Sequence, residues 1–442
     1  MSYGLEVNLT REVLDEGAPE ERATFGMLSI KVGGQALTEG FDHYLDGFRV
    51  GPLVSAYFFA EWLAWNWWRL RWEPRSNTHD WNLVHQMNTI GEGYVWPNIE
   101  IWSDGQRSVL ISRPSARPDA KPFRYVGASP VVIPSTTFER AVDEFMPRVI
   151  GRLRESKIAD TNLDRLWKDI LEERKDPDLA ERRRLEALMG RDPDAIDDRA
   201  IEDLLASRER LGKAAVDEVA AGLSGPGRDR DMMRKAKDFE VAAATVGPNA
   251  MLSDAIRLRS SRELPNPAEV PAWKLGRAAA ALVREQEHFQ DEALTDKKLA
   301  EMIGANPTLI LNEPSGKVPL SFALSDLNGP KSSIVLHQRP RVSRRFALAR
   351  LLGDQLMNRS GSLHPATHTS TYRQKAQRSF AAELLAPFSV VEELMAGDYS
   401  EEIQQEAAER FEVSPMVINT LLKNHGKIDR DDFEGLGYLA TA

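Results

Sequence analysis

The sequence contains no cysteine among its 442 residues. This absence excludes disulfides, cysteine-ligated zinc, iron–sulfur clusters and cysteine nucleophiles. Histidine is scarce as well, with eight in the chain, so few metal sites can be built from imidazoles. The sequence also has no Walker A loop, no G-x-G-x-x-G, no G-x-S-x-G and no H-E-x-x-H. The common signatures of nucleotide binding, of serine hydrolases and of zinc peptidases are therefore missing.

Long hydrophobic runs are missing too. The most apolar stretch, residues 51–68, contains Glu61 and Asn66 and is followed closely by Arg69 and Arg71. These polar groups argue against a membrane span. The first residues lack the basic segment and apolar run of a signal peptide, so we expect a cytoplasmic protein.

Charge is distributed unevenly along the chain. The formal net charge is −10, which by itself argues against a general nucleic-acid coat protein. Residues 339–378 nevertheless carry nine basic side chains and a single acid, Asp354, so this window is +8 and the remainder is −18. Such an asymmetry predicts that the basic window meets an acidic surface or a phosphate backbone.

Residues 1–135 have the pattern of a small α/β module. A strand ending at Gly33 is predicted over residues 23–32, and a hairpin around Asp104 and Gly105 over residues 98–112. Between them, residues 53–72 predict one long helix rich in tryptophan.

The tryptophans of this helix follow a helical spacing. Trp62, Trp65, Trp68 and Trp72 fall on one stripe, which is more typical of a core than of a base-stacking surface. Trp67 lies off the stripe, so this side of the helix is predicted to face a partner.

The next region, residues 136–270, has a helical pattern. Thr136 and Glu139 have the spacing of a capping box before a helix over residues 138–155. The intermixed charges that follow are typical of solvated helix faces. Residues 224–227, Ser-Gly-Pro-Gly, predict a loop or linker.

The last region, residues 271–442, mixes helices with a few strands. A helix is predicted over residues 273–303, followed by strands over 308–311, 318–323 and 334–336. Near the end, a helix over residues 403–411 precedes Ser414 and Pro415, which are typical of a helix start. This pair of helices has a helix-turn-helix-like spacing, although closing the domain core is the favoured explanation because the second helix has few donors for base edges.

Three segments of the last region carry a family resemblance. They read RFALARLLGDQL from Arg345, FAAELLAP from Phe380, and AERFEVSPMVINTLLKNHG from Ala408 with its preceding Ala407. Their order and spacing resemble the ImmA/IrrE family of metallo-endopeptidases, whose first segment reads roughly RFTLAHELGH. The resemblance covers residues 275–425, about a third of the chain, and implies a zincin-like domain.

The departures from this family fall on its catalytic motif. Arg350 stands at the first histidine, Leu351 at the catalytic glutamate and Asp354 at the second histidine, while Gly353 is retained. The family's third ligand is an acid in the next helix, and residues 374–378 contain none. A permanently protonated guanidinium cannot ligate zinc, and leucine cannot accept a proton from metal-bound water. No catalytic residue and no cofactor are therefore assigned, and an Arg350–Asp354 ion pair is predicted to fill the former metal site.

Other histidines could rebuild a metal site. His364 and His368 are four residues apart, with His337 upstream, but the sequence around Pro365 predicts a loop. This arrangement defines an alternative in which the protein is an active peptidase with a site rebuilt around His364, His368 and Asp354. His288 with Asp291 and Glu292 is a weaker candidate of the same kind. Glu383 is expected to pair with Arg378 or Arg345 or to cap local structure.

The binding residues are predicted from the basic window and the former cleft. They are Arg344, Arg345, Arg350, Asp354, Arg373, Lys375 and Arg378. Docking to a protein, including the acidic helices of residues 157–222, is favoured over nucleic acid binding. The nucleic-acid alternative would use the window 339–378 with the helices of residues 403–424.

These patterns predict an α+β, predominantly helical chain of three domains, residues 1–135, 136–270 and 271–442. The resemblance implies that the third is a degenerate metallopeptidase domain. It also implies a non-catalytic regulatory or scaffold protein that binds a protein partner through the former substrate cleft. Phage defence, toxin–antitoxin control and stress regulation are the settings that the family suggests.

Overall fold

The computed structural model divides the chain into two compact units, Met1–Ala195 and Ile196–Ala442. It describes residues 4–195, 198–224, 233–251, 254–259, 264–289, 291–314, 316–326 and 329–429. The chain is 49% helical and 16% strand, so the expected mixed and predominantly helical fold is confirmed. No helix among the described residues is both long and apolar enough to cross a membrane.

The first unit contains three antiparallel sheets and seven helices among its described residues. The strands are β1 (Leu5–Arg11), β2 (Phe25–Val32), β3 (Gln35–Ala36), β4 (Gly40–Asp42), β5 (Gly47–Arg49), β6 (Leu53–Ser55), β7 (Asn98–Ser103), β8 (Arg107–Arg113), β9 (Phe123–Tyr125) and β10 (Ser129–Pro134). The helices are α1 (Pro19–Ala23), α2 (Ala56–Trp65), α3 (Trp67–Trp72), α4 (His79–His85), α5 (Ser135–Glu155), α6 (Asn162–Lys175) and α7 (Pro177–Leu188).

The sheets of this unit have simple connections. β2 is paired with β1 on one side and with β3 and β6 on the other, so β1 is an edge strand. The second sheet has the order β10-β8-β7, and its β7–β8 turn at Asp104 and Gly105 confirms the predicted hairpin. The third sheet has the order β5-β4-β9.

The prediction of one helix over residues 53–72 was wrong. Residues 53–55 form β6, and the rest divides at Asn66 into α2 and α3. The break changes the helical phase, so Trp67 is buried at 2% exposure while Trp65 is 60% exposed. Trp67 stacks on Phe138 instead of facing a partner.

The predicted first domain boundary, at residue 135, does not separate two cores. α5 begins there, but its apolar face, including Phe138, Val142 and Phe145, is buried in the same core as Leu28 of β2. The predicted capping box is also absent, because α5 begins one residue after Pro134, without a side-chain cap. Periodicity reveals that a helix is amphipathic but not which sheet covers its apolar face.

Among its described residues, the second unit contains one sheet, with helices packed on both faces. Its helices are α8 (Asp198–Ala206), α9 (Arg208–Leu211), α10 (Lys213–Gly222), α11 (Ala236–Val246), α12 (Ala272–Gln286), α13 (Asp296–Met302), α14 (Thr308–Leu311), α15 (Arg341–Met357), α16 (Tyr372–Leu385), α17 (Phe388–Met395), α18 (Glu401–Phe411) and α19 (Pro415–Asn424). Its strands are β11 (Asn249–Met251), β12 (Ser321–Ser325), β13 (Lys331–Val335) and β14 (Leu363–Ala366), in the antiparallel order β11-β13-β12-β14.

Three local predictions in this unit were wrong. The apolar run at residues 308–311 is helix α14 and not a strand, since four apolar residues do not distinguish the two. The stretch around Pro365, predicted as a loop, is β14, an edge strand, where proline is tolerated. The predicted helix over residues 273–303 is two helices, α12 and α13.

Two glycines allow the central helices of this unit to approach closely. A Cβ at Gly276 of α12 would overlap the backbone of α16 at Ala376 and Phe380. A Cβ at Gly353 of α15 would overlap the ring of Phe380. Gly353 therefore has a packing role: it allows α15, with Arg350 and Asp354, to lie close against α16.

Candidate functional site

The motif positions lie in the interior of the second unit. Arg350 and Asp354 occupy successive turns of α15, and both are buried, at 4% and 0% exposure. The neighbouring elements β14, α16 and α10 all contribute polar side chains to the same interior. Leu351, at the position of the family's glutamate, is fully buried in the apolar core. We call the polar side chains that meet here the motif cluster: Glu218, Arg350, Asp354, His364, Thr371, Arg373, Gln374 and Gln377.

Asp354 does not pair with Arg350, so that prediction was wrong. Its carboxylate accepts hydrogen bonds from Arg373 Nε at 2.7 Å, from Arg373 Nη2, from His364 Nδ1 at 2.9 Å and from Asn358 Nδ2 at 2.9 Å. Burial opposes its ionisation, but Arg373 and His364 hold the pKa of Asp354 well below the ordinary value. Arg373 lies on α16, and its guanidinium donates to both oxygens of the Asp354 carboxylate in a bidentate geometry. Arg350, which lies on the same helix as Asp354, does not form this pair.

Arg350 is bound by neutral acceptors. Its Nη2 donates to Thr367 O and to Gln374 Oε1, both at 2.6 Å, and to Gln377 Oε1 at 3.4 Å. Burial and the nearby Arg378 lower the pKa of Arg350 to about 9, against the opposing effect of Asp354 and Glu218. The guanidinium therefore remains protonated at neutral pH.

α16 positions these acceptors. The side chain of Thr371 caps the helix by accepting from Gln374 N. Gln374 accepts from Thr367 N at 2.9 Å and donates to Pro365 O at 3.0 Å, and Gln377 donates to the same carbonyl at 3.1 Å. The glutamines thus join the end of β14 to the arginine of α15.

Glu218 is the acid that the sequence analysis missed. It lies on α10, is 5% exposed, and accepts from Thr371 Oγ1 at 2.7 Å. Burial raises the pKa of Glu218 to about 7, against the lowering effects of Arg373, Thr371 and Gln374. The sequence signal was a charged pair, Asp217 and Glu218, inside a short helix that is otherwise mostly alanine, valine and glycine. Glu218 belongs to the acidic residues 157–222, and the charge of Arg373 in the basic window acts on it.

The motif cluster does not fit a catalytic zinc ion. A zinc ligand must offer a free lone pair, and both Asp354 oxygens already accept from cations or amides. The guanidinium of Arg350 would also place positive charge beside the metal. Among the described residues, no group of three or more histidines or acids has a metal-binding arrangement.

The remaining histidine candidates are dispersed. His364 is buried on β14 and engaged by Asp354, while His368 is exposed. His337 is exposed, and its Nδ1 is hydrogen-bonded to Val318 O. His288 is exposed, as are Asp291 and Glu292. Of the site predicted around His364, His368 and Asp354, the structure brings His364 and Asp354 together, but no third histidine or acid completes a metal-binding group with them among the described residues.

Most of the arginines that were predicted to bind a partner instead form hydrogen bonds and ion pairs inside the second unit. Arg344 donates to Ile310 O at 2.7 Å and Leu311 O at 3.2 Å, at the C-terminal end of α14. Arg345 is fully buried, pairs with Asp296 and lies 3.3 Å from Glu412. Neither presents its guanidinium to a partner surface.

The other members of the basic window differ in exposure. Arg373 and Lys375 are buried, Arg378 is half-buried and donates to Thr369 O at 3.0 Å, and Arg339 and Arg359 are exposed. The window is therefore not a continuous basic face, because most of its charge is used inside the unit. Charge counted along a sequence cannot distinguish buried from exposed arginines.

Glu383 caps the helix that follows it. Its Oε1 accepts from Phe388 N at 3.3 Å, at the start of α17. Burial raises the pKa of Glu383, with Arg277 and Arg284 opposing this effect. The capping role was one of the predicted alternatives, and the partners named for an ion pair, Arg378 and Arg345, were wrong.

The predicted pair of C-terminal helices exists as α18 and α19, with Pro415 at the first position of α19. The exposed side of α18 carries Glu401, Glu402, Glu406 and Glu409. Such a face repels a phosphate backbone. The nucleic-acid alternative therefore gains no support from these helices.

Comparisons with known proteins give no family. No family profile matches the chain, and neither the curated proteins nor the solved structures contain a significant match.

Proposed function

We propose that this chain is a non-catalytic regulatory or scaffold protein whose C-terminal unit derives from an ImmA/IrrE-type metallopeptidase domain. The observation that supports the proposal is the saturation of Asp354 by Arg373, His364 and Asn358. Buried, ion-paired side chains occupy the positions that would hold the zinc ion and the catalytic base of a peptidase. The protein then acts by binding a protein partner, and regulation linked to phage defence, toxin–antitoxin systems or stress is the setting that the resemblance suggests.

The motif side chains themselves are not the partner-binding surface in this structure. Arg350, Asp354 and Arg373 are each less than 10% exposed, and α10 contributes Glu218 to the same interior. Binding through the former cleft, as first predicted, would require these groups to be uncovered. Partner binding is therefore assigned to exposed surfaces of the protein.

Metal content of the purified protein tests the non-catalytic proposal. We expect less than ~0.1 zinc per chain by elemental analysis, and a melting temperature that neither zinc chloride nor a chelator changes, because no ligand set is vacant. Casein hydrolysis should be undetectable with or without added zinc. About one zinc per chain would contradict the proposal.

A restored variant tests the metallopeptidase origin. It combines Arg350→His, Leu351→Glu, Asp354→His and Gln374→Glu, which places the family's residue types on α15 and an acid on α16 beside them. We expect this variant to take up about one zinc per chain, because imidazoles at i and i+4 and a nearby carboxylate match the metal's preferences. A folded variant that binds no zinc would contradict the assignment of α15 and α16.

A further inference from the structure

The first unit has a groove along the edge of its main sheet. It runs between β1 and the C-terminal half of α5 and has a volume of about 340 Å³. Leu9 is its partly exposed apolar residue, Phe145 and Val149 lie beneath it in the core, and Arg148, Arg152 and Glu155 are its charged residues. A second cavity of about 230 Å³, lined in part by Arg11, shares Arg152 and Glu155 with the first. The two cavities therefore adjoin, and β1 contributes residues to both.

Two arginines occupy the open edge of β1. Arg148 Nη2 donates to Val7 O at 2.6 Å, and Arg152 Nη2 donates to Leu9 O at 3.0 Å. Because β1 is the last strand of its sheet, these carbonyls have no strand partner on that side. Charged side chains on an edge strand prevent unspecific pairing with another chain.

The groove retains unused donor capacity. Arg152 Nη1 is buried and has no hydrogen-bond partner among the described residues. The charges acting on Arg152 are Arg11 and Arg148, which with burial lower its pKa, and Glu155, which raises it. Three guanidinium groups thus face a single carboxylate, and the site has a local excess of positive charge. A buried donor without a partner is costly, so a carboxylate placed there gains both a hydrogen bond and an ion pair.

The spacing of the arginines matches an extended chain. Arg148 and Arg152 are four residues apart on α5, which is about 6 Å along a helix axis. Side chains two residues apart on one face of a strand are separated by about 6.7 Å. The intervening residue of such a strand points to the opposite face, away from the two arginines.

We propose that this groove binds an extended acidic segment of a partner protein, with two carboxylates at positions i and i+2 paired to Arg148 and Arg152. The site belongs to the first unit and does not depend on the function proposed for the motif cluster.

Fluorescence anisotropy of the full chain with labelled peptides tests this proposal. The probe is a decapeptide of alternating valine and glutamate, and the matched control contains five valines followed by five glutamates. We expect the alternating peptide to bind at least ten times more tightly than the block peptide, with an affinity that falls as salt rises. Equal affinity for the two peptides, or no binding of either at millimolar concentration, would overturn the proposal.

Variants locate the site. Arg152→Gln and Arg11→Gln should each weaken binding of the alternating peptide several-fold, and Arg148→Gln/Arg152→Gln at least tenfold. The control is Arg165→Gln, an exposed arginine on α6 of the same unit, which should leave the affinity unchanged. Circular dichroism establishes that each variant is folded. Because Arg11 is exposed, its substitution is expected to leave the fold intact, and a folded Arg11→Gln protein with unchanged affinity would overturn the assignment of the charged groove.

Discussion

Arginines gather in two regions of this protein, and their surroundings differ. In the motif cluster of the second unit, Arg373 is buried and reaches both oxygens of Asp354. In the groove of the first unit, Arg152 binds one backbone carbonyl and lies near Arg11 and Arg148, with Glu155 as the neighbouring carboxylate. Both regions contain a buried guanidinium nitrogen without a hydrogen-bond partner among the described residues, so donor count does not distinguish them. The charge of Arg373 is balanced by a buried carboxylate, whereas the groove has an excess of positive charge. The comparison teaches that arginine content does not locate a binding surface; the local balance of charge does.

The largest difference should appear when the same substitution is made in each region. Arg373→Gln removes the cation that balances a buried carboxylate, so we expect a loss of about 3–5 kcal/mol in the free energy of unfolding. Arg152→Gln removes one bond to an edge carbonyl and should cost at most about 1 kcal/mol. Urea unfolding followed by circular dichroism measures both. Similar losses would break the distinction between the two regions.

The pH dependence of stability sharpens the description of the motif cluster. Glu218 has a folded pKa of about 7 and an ordinary value of 4.5, so only the unfolded chain ionises between these pH values. Its contribution to stability is complete below pH 4.5 and is lost as pH rises to about 7, a change of about 3 kcal/mol. Urea unfolding at pH 5 and pH 8 should show this loss.

Glu218→Gln is the control for the pH experiment. Glutamine retains the shape and an oxygen acceptor for Thr371 but cannot ionise. The variant should therefore lose less stability than the parent protein between pH 5 and pH 8. A variant with the same pH profile as the parent would show that another group is responsible.

A pair of glycines gives the smallest expected difference. Gly353→Ala introduces a methyl group into the ring of Phe380 and should destabilise the protein by about 1–3 kcal/mol. Gly151→Ala, on α5 beside the groove, meets no atom within 4 Å and should stabilise the helix by about 0.5–1 kcal/mol. Thermal unfolding measures the two shifts. A stabilising Gly353→Ala would contradict the close packing of α15 on α16.

Local patterns identified many elements correctly. The β7–β8 hairpin follows from Asp104 and Gly105, and the start of α19 from Ser414 and Pro415, because these residues set the backbone nearby. The long tryptophan-rich segment was divided wrongly, since the break at Asn66 has no strong local signal. The sequence indicated the position of the polar interior through Arg350 and Asp354. It did not predict which side chains pair there, because Arg373 and Glu218 come from other elements.

The sequence by itself determined the composition of the motif cluster. Without histidines at positions 350 and 354 and without a glutamate at 351, the ligand set and base of the resembling family are absent. Those identities are local and need no coordinates. The sequence also determined the amphipathic face of α5 and the glycine that lets α15 approach α16.

Tertiary structure alone decided which charges meet. Arg373 binds Asp354, and Glu218 joins them from α10, a helix more than 130 residues earlier in the chain. It also decided that most of the basic window is buried while Arg148 and Arg152 line an open groove. The physical reason is that burial and distance determine the strength of an ion pair, and both are properties of the folded chain.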